Sequence, residues 1–305
     1  MQIRNLVLAS ALSLAGLSAH AGDFTNVPTR NTPGPATLVA GVQNQNLDVM
    51  YLDVPDFVPS PVPGAPQIPG ISYADAARLI PSTIYYNAKA TLPPRVVTGS
   101  GILSLLDYRV TPDITLPVVN SNGIPTGEEG AVGDLYDFVF RDSRDNKLVF
   151  GTRILLGVDS GQLANVGNSE LNFVYRHGFE GYEAAAAWLF VANDLRLYEV
   201  ARTASVSFTS APYNEDVIRM KSDISVLEGN PFSGLYLVKS DADAYTTEAI
   251  GISYFQAGEE GQAIVGRSVA GFVPFTPPVP EPSEYAMFLA GLGLIGLVAR
   301  RRMRA

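Results

Sequence analysis

The chain alternates apolar and polar residues with a period of two over much of its length, which is the spacing of half-buried β-strands. The clearest case begins at residues 135–140, passes through turn-forming residues at 142–146, and continues through residues 148–156. The two apolar faces of these segments consist of Tyr136, Phe138 and Phe140, followed by Leu148, Phe150, Ile154 and Leu156. The pattern predicts a β-hairpin with a longer loop.

The same alternation recurs in short segments that are separated by Gly, Pro and Asp residues. It predicts further strands at residues 36–42, 47–54, 171–176, 205–209, 250–254 and 262–269. Many short strands with turn residues between them are typical of two-sheet β proteins. We therefore expect a mainly β fold over residues 22–272, a β-sandwich or jelly-roll-like single domain with minor helix.

Two segments depart from the period of two. Residues 182–202 contain four consecutive alanines followed by further apolar residues, so we expect some helix there. A break at Asn193 and Asp194 would instead leave a strand followed by a short helix. Residues 73–80 predict another short helix, which ends at Pro81.

A proline-rich stretch interrupts the first part of the chain. Residues 55–70 hold six prolines and two glycines, a density that no regular element tolerates. We expect a surface loop in preference to a polyproline spacer, because strand-like segments lie on both sides. The sequence leaves open whether residues 22–54 form a separate folding unit.

The N-terminus has the three parts of a secretory signal peptide. Arg4 provides a positive charge, and residues 6–17 form an apolar stretch that is too short to span a membrane comfortably. Ala19, His20 and Ala21 form a small-residue cleavage site. Residues 1–21 are therefore predicted to be removed by the export machinery of the Sec type, and the mature chain begins at Gly22.

The C-terminus also has three parts. A proline-rich linker at residues 273–284 contains Val279, Pro280, Glu281 and Pro282, and an apolar segment follows at residues 285–299. A basic tail at residues 300–305 holds Arg300, Arg301, Arg302 and Arg304. As a helix, the apolar segment would measure roughly 22 Å against a hydrocarbon core of about 30 Å. The segment can cross the membrane if the arginine side chains snorkel to the interface. The arginines would then stay on the cytoplasmic side, and the folded body would lie on the other side of the membrane.

This order of motif, short apolar span and arginine cluster closely resembles the PEP-CTERM sorting signal of Gram-negative bacteria, and the resemblance covers residues 279–305. The same tail is also called an ice-binding protein C-terminal domain, a label that does not imply ice binding. The resemblance implies a chain held transiently in the inner membrane, cut near Pro280, Glu281 and Pro282 by an exosortase-type protease, and passed to the cell surface or extracellular matrix. An ordinary tail anchor is the alternative.

Charge excludes one class of partner. The whole chain has a net charge of −9, and without Arg4 and the four tail arginines 16 basic side chains stand against 30 acidic ones, a net charge of −14. Such a surface repels phosphates, so nucleic-acid binding is disfavoured. Hydrophobic residues make up 47% and charged residues 17% of the chain, which indicates a folded body.

Few residues suggest catalysis. His177 is the one histidine of the mature chain and there is no cysteine, which excludes a histidine-rich or thiolate zinc site. A Ser-His-Asp triad would require His177, yet no Gly-x-Ser-x-Gly elbow is present, and we expect a structural role for this residue. Pairs of carboxylates close together in sequence would suit a glycosidase only if folding places two across a cleft. They are Glu128 and Glu129, Glu180 and Glu183, Glu215 and Asp216, and Glu259 and Glu260.

Calcium and sugars are the remaining candidate ligands. Asp241 and Asp243 follow a predicted strand, and Asp142 and Asp145 share a loop, so these carboxylates are candidate calcium ligands. Neither segment has the EF-hand or RTX pattern, and polar turns are the favoured interpretation. Aromatic residues that would stack on sugars are Trp188, Tyr85, Tyr86 and Tyr213, although a β-sheet core also needs aromatics.

Taken together, the sequence predicts an exported, exosortase-processed, non-enzymatic protein without a cofactor. Its expected place is the outer envelope or exopolysaccharide matrix of a biofilm-forming bacterium, with exopolysaccharide as a candidate partner. Two alternatives stay open. One is a carbohydrate- or calcium-binding matrix module, and the other is a glycan-active hydrolase.

Overall fold

The fold is taken from a computed structural model of the full chain. The structure describes residues 24–29, 35–37, 39–40, 49–53, 78, 80–86, 101–120, 124–163, 170–189, 197–207, 211–226, 228, 231–257, 263–277, 287–292, 294–295, 300 and 302. The signal peptide, the proline-rich stretch at 55–70 and the motif at 279–282 therefore lie outside the described residues.

Fourteen β-strands form the described body. They are β1 (Thr25–Val27), β2 (Val39–Ala40), β3 (Val49–Asp53), β4 (Thr83–Tyr86), β5 (Gly101–Val119), β6 (Pro125–Asp142), β7 (Leu148–Leu156), β8 (Glu170–Arg176), β9 (Ala184–Leu189), β10 (Glu199–Arg202), β11 (Ile218–Ser225), β12 (Leu235–Ser240), β13 (Ala244–Ala257) and β14 (Ile264–Phe275). The mainly β prediction is confirmed.

The strands form two antiparallel sheets. The larger has eight strands in the order β1-β9-β12-β7-β6-β5-β4-β3, and the smaller has six in the order β14-β13-β8-β11-β10-β2. The predicted hairpin is present as β6 and β7, in which Phe138 lies opposite Gly151 and Val139 opposite Phe150. The first 54 residues are not a separate unit in the described part, because β1, β2 and β3 pair with β9, β10 and β4.

The two sheets pack face to face through one apolar cluster. Val139 and Phe150 from the large sheet and Val174 and Ile252 from the small one belong to it, and all four are fully buried. Burying side chains of this size contributes about 1.5–3 kcal/mol each relative to leaving them exposed. This layer is the main core of a sandwich.

The outer face of the large sheet is also buried. Phe138, Phe140 and Val149 belong to a second apolar cluster, and each is inaccessible to solvent. Tyr136, Phe138 and Phe140 follow one another as stacked rings, with centroids about 6 Å apart. Both faces of residues 132–140 of β6 and of most of β7 are therefore covered, which explains why apolar residues occur on both faces of these two strands.

Two predictions from the pattern are wrong. Ala184–Leu189 is strand β9 and Glu199–Arg202 is strand β10, where we expected helix, although the alternative with a strand first is right for β9. Ala186 packs into the inner cluster and Ala187 into the outer one, so pairing on both sides overrides the helix propensity of alanine. Of the strand predicted at 205–209, residues 205–207 are described and are not a strand; the carbonyls of Ser205 and Ser207 accept hydrogen bonds from Arg219 in β11.

Helical backbone occurs at Arg78 and at residues 287–292, 294–295, 300 and 302. Within the part of the chain that the structure describes, no helix combines the length and apolar character needed to cross a membrane.

Candidate functional site

The sorting segment follows directly from the last strand, so the attachment of β14 decides how that segment is presented. β14 is an edge strand that pairs with β13, and it ends at Phe275 opposite Ala244. The next residue, Thr276, forms a hydrogen bond between its Oγ1 and the hydroxyl of Tyr182, at 2.9 Å. The described part of the body ends at Pro277, three residues before Pro280.

A buried ion pair binds β14 to the large sheet. Asp137 and Arg176 are both fully buried, with Oδ1 and Nη2 2.9 Å apart. Both also contact the backbone of Phe272: its N–H donates to Asp137 Oδ2 at 2.6 Å, and its carbonyl accepts from Arg176 at 2.9 Å. Arg176 also donates to the carbonyl of Gly151 at 3.0 Å and to the Thr152 hydroxyl. Four strands from two sheets, β6 and β7 of the large one and β8 and β14 of the small one, are thus joined at one point.

Burial of this pair is electrostatically costly. Removal from water raises the pKa of the Asp137 carboxyl above its usual range, and the neighbouring Arg176 charge acts in the opposite direction. The Arg176 guanidinium also lies 5.3 Å from the ring centroid of Phe150. The Asp137–Arg176 pair is therefore stable in the core only when all of its hydrogen bonds and its ring contact are formed.

The loop of residues 177–183 lies beside the end of β14. It connects the two sheets and turns at Gly178 and Gly181, which have positive φ angles of 84° and 79°. A side chain at Gly178 would come within 2.6 Å of the Val273 side chain in β14. The loop and the last strand are therefore packed as closely as their backbones allow.

A second buried arginine fixes this loop. Arg202 donates hydrogen bonds to the carbonyl oxygens of Phe179 at 3.1 Å, Tyr182 at 2.5 Å and Glu215 at 2.5 Å. Burial lowers the pKa of its guanidinium from the ordinary value. By holding the carbonyl of Tyr182, Arg202 positions the hydroxyl that binds Thr276. Sequence reasoning did not identify either buried arginine.

His177 lies in the same region and joins two other polar side chains. Its Nε2 is 2.8 Å from the hydroxyl of Ser253, which in turn is 2.8 Å from that of Ser268. Its Nδ1 is 3.9 Å from Asp216, beyond hydrogen-bonding distance. Burial lowers the pKa of His177, and Asp216 partly offsets this. Ser253, the hydroxyl that contacts His177, is only 3% exposed within β13, so the group links β8, β13 and β14.

The candidate calcium ligands fall into two places. Asp142 and Asp145 both form ion pairs with Lys239, the latter at 3.1 Å. Asp142 is buried and also accepts a hydrogen bond from Tyr86 at 2.6 Å, which together with burial raises the pKa of that phenol. Lys239 therefore provides the cation that these two carboxylates share.

Asp241 and Asp243 are exposed near the end of β14, and Asp241 accepts a bond from the Glu183 amide at 2.8 Å. Among the described residues, no three His, Cys, Asp or Glu side chains form a group suited to a metal ion.

The candidate sugar-binding aromatics are not collected on one surface. Trp188 and Tyr86 are buried in the inner and outer clusters, and the side chain of Tyr85 lies outside the described set. Two members of the carboxylate pairs are bound to cations: Glu129 to Arg267, and Glu183 to Lys147 at 3.7 Å. Glu128, Glu180 and Glu215 are exposed, and Glu259 and Glu260 lie outside the described residues.

The remaining predicted site residues are in the terminal segments. Ala19, Ala21 and Gly22, the motif from Val279 to Pro282, and Arg301 and Arg304 all lie outside the described residues. Arg300 and Arg302 have helical backbone and are exposed. The membrane span at 285–299 and the signal cleavage site therefore stay predictions.

Comparison with known proteins identifies the end of the chain. Residues 278–302 match the family profile of the PEP-CTERM protein-sorting motif. No curated protein matches the chain, and no solved structure does. The match begins one residue after the described end of the body, so it covers the linker, the apolar segment and most of the arginines. The chain therefore carries a PEP-CTERM protein-sorting motif, which indicates an exported protein that is targeted to an exosortase.

Proposed function

We propose that this chain is a non-enzymatic protein of the outer envelope or the exopolysaccharide matrix, delivered there by cleavage of its C-terminal tail. The observation that supports delivery is the sorting motif at 278–302, which directly follows a strand fixed by the Asp137–Arg176 pair and by Thr276. The tail directs export and processing, and the folded body is the part that is delivered.

The connection between body and membrane is short. Seven residues, 278–284, separate Pro277, the described end of the body, from the apolar segment. Fully extended, they reach about 25 Å at most. An enzyme that cuts near Pro280 to Pro282 therefore works close to both the membrane and the end of β14. A body attached firmly at Thr276 keeps the substrate segment apart from the folded core.

A role without catalysis is supported by what the polar residues do. His177 connects strands, Lys239 neutralises Asp142 and Asp145, and the buried arginines bind backbone carbonyls. Each of these groups is used in holding the fold. An acidic sandwich with a net charge of −14 would remain soluble in a hydrated polysaccharide matrix.

Intact mass and cell fractionation test the delivery step. For the wild-type chain we expect a mass that begins at Gly22 and lacks the arginine tail, recovered outside the inner membrane. Changing Pro280, Glu281 and Pro282 to alanine should retain the full tail in the inner membrane. Changing Pro277 to alanine, one residue before the matched segment, is the control and should leave processing intact. A full tail in the membrane for all three chains would mean an ordinary anchored protein.

Partition of the processed protein between isolated exopolysaccharide and medium tests the matrix role, and release of reducing sugars from the same material tests for hydrolysis. We expect co-fractionation with polysaccharide and no sugar release above that of a heat-unfolded sample. Sugar release that depends on the folded protein would instead establish the hydrolase alternative. A protein that stays wholly in the medium would rule out the matrix role.

A further inference from the structure

Among the described strands, the large sheet has an open edge at β5. Strand β4 pairs with β5 from Gly101 to Ser104, the N–H of Leu105 donates to the carbonyl of Ser82 at 2.8 Å, and no other described strand pairs with that side of β5. Just beyond Ser104, three apolar side chains are exposed: Leu106 by 43%, Tyr108 by 50% and Val110 by 38%. A strand edge with exposed apolar residues is a template for pairing with another strand.

Only a short part of this edge can pair with another strand, and irregular backbone lies at both of its ends. On its other side, β5 pairs regularly with β6 from Asp107 to Thr111, with irregularities before and after. Pro112 lacks the N–H needed for a ladder, and Asp113 has a positive φ of 50°. Tyr108 and Val110 lie opposite Phe138 and Tyr136, which places them on the outer face, and Asp107 and Arg109 point to the other face.

The edge is complementary to itself. In an antiparallel pair of two copies centred on Tyr108, Asp107 of each copy lies opposite Arg109 of the other. Leu106 then lies opposite Val110, and Tyr108 opposite its own equivalent. Opposite charges and apolar pairs facing each other stabilise adjacent antiparallel strands, and a two-fold axis makes each contact occur twice. We propose that β5 is the interface through which a second copy of this chain pairs, residues 106–110 against residues 110–106.

The single copy already compensates for the missing strand. The N–H of Tyr108 donates to the carboxylate of Asp107 at 2.8 Å, a contact between adjacent residues on the exposed edge. Pairing replaces it with a backbone carbonyl and leaves the carboxylate for Arg109 of the other copy. The same Asp107 carboxylate lies 3.5 Å from the Tyr245 hydroxyl, which holds it near the edge.

Five residues bury less surface than the 1,200–2,000 Å² or so of a stable complex. The pair is therefore weak and depends on concentration. It is favoured where copies are crowded on a membrane or in a matrix, because tethering raises the effective concentration.

The absence of cysteine from the sequence gives a direct test of register. In the full chain exported by its own cells, Tyr108→Cys places two thiols opposite each other across the axis, about 5.5 Å apart between Cα atoms, which suits a disulfide. Val110→Cys places each thiol four positions, about 13 Å, from its equivalent. We expect an oxidised dimer for Y108C on a non-reducing gel, and at least tenfold less dimer for V110C and for the exposed control Asp243→Cys.

Charge reversal tests the same register without a disulfide. Asp107→Arg and Arg109→Asp each oppose like charges twice, so either should reduce the dimer formed by Y108C about tenfold. The double variant restores opposite pairs and should restore the dimer. Equal cross-linking at 108, 110 and 243, or no dimer at any position, would overturn the proposal. Failure of the double variant to recover would do the same, and would point to a different partner for this edge.

Discussion

The buried pair of Asp137 and Arg176 gives the sharpest test of how the sorting segment is held. Arg176→Met removes the partner of a fully buried carboxylate and leaves it within an apolar core. The same change removes the donors to the carbonyls of Gly151 and Phe272. Breaking a buried ion pair from one side costs about 3–5 kcal/mol, and the two carbonyls left without a donor place this case at the upper end. Because the total free energy of unfolding of a domain is about 5–15 kcal/mol, this cost would be a large fraction of the total.

The reciprocal and double variants separate the pair from its surroundings. Asp137→Asn should cost about 3 kcal/mol, because the N–H of Phe272 keeps an acceptor while Arg176 loses its counter-charge. The double variant Asp137→Asn with Arg176→Met removes both charges. Its cost should be at least about 2 kcal/mol less than the sum of the single variants, since no lone charge remains buried.

Urea unfolding of the processed protein measures these costs. Trp188 is the one tryptophan in the sequence and is 6% exposed in the inner core, so its fluorescence reports loss of the sandwich. The exposed ion pair of Arg267 and Glu129 is the matched control, and Arg267→Met should cost about 1 kcal/mol or less. Single variants at Asp137 and Arg176 that cost no more than this control would refute the reasoning, as would a double variant equal to the sum of the two.

Further predictions concern the loop beside β14 and the pH response. Gly178→Ala should lower the free energy of unfolding in urea by at least about 2 kcal/mol, because Gly178 has a positive φ and the added Cβ would contact Val273. Gly161 also has a positive φ but has no atom within 4 Å of the added Cβ, so Gly161→Ala should cost less. Burial lowers the pKa of His177 in the folded protein, so the fold favours the neutral imidazole. The free energy of unfolding is therefore unaffected by this group above a pH of about 6.5, and it decreases as the pH falls below that value. His177→Gln should flatten this part of the plot of unfolding free energy against pH. Tyr182→Phe removes the bond to Thr276 at a cost of about 1 kcal/mol, measured in the same way, and an unchanged midpoint would show that this contact does not hold the strand end.

The fold class follows from the sequence because the period of two survives in the strands that form the centre of each sheet. The hairpin of β6 and β7 is recognisable for that reason, and its loop begins where Asp142 and Ser143 interrupt the apolar run. Strand β9 is not recognisable, because its alanines favour a helix locally and become a strand only by pairing with β1 and β12. Local preference carries no information about such distant partners.

The polar interior is the part that sequence patterns do not show. Arg176 occupies a polar position of β8 and is expected to face solvent, yet the other sheet covers it. The sequence does contain one indication of a polar interior. Asp137 is a charged residue between Tyr136 and Phe138, in the otherwise apolar segment 135–140. Such a charge requires a buried partner, but the sequence does not say which arginine provides it. The sorting tail is recognisable without folding because its three parts are contiguous.

The position of β1 and β14 at sheet edges has a consequence for the order of assembly during export. A chain that emerges N-terminus first brings out β1 long before β9, its partner, which begins about 160 residues later. The last strand to emerge is β14, and only then does the backbone of Phe272 reach Asp137 and Arg176. Under the delivery proposed above, those charges would stay hydrated until that moment, and the sandwich would close only as the apolar segment arrives at the membrane. Folding of the body and capture of its tail would then fall within the same short interval, and an enzyme that cuts afterwards would release a folded protein.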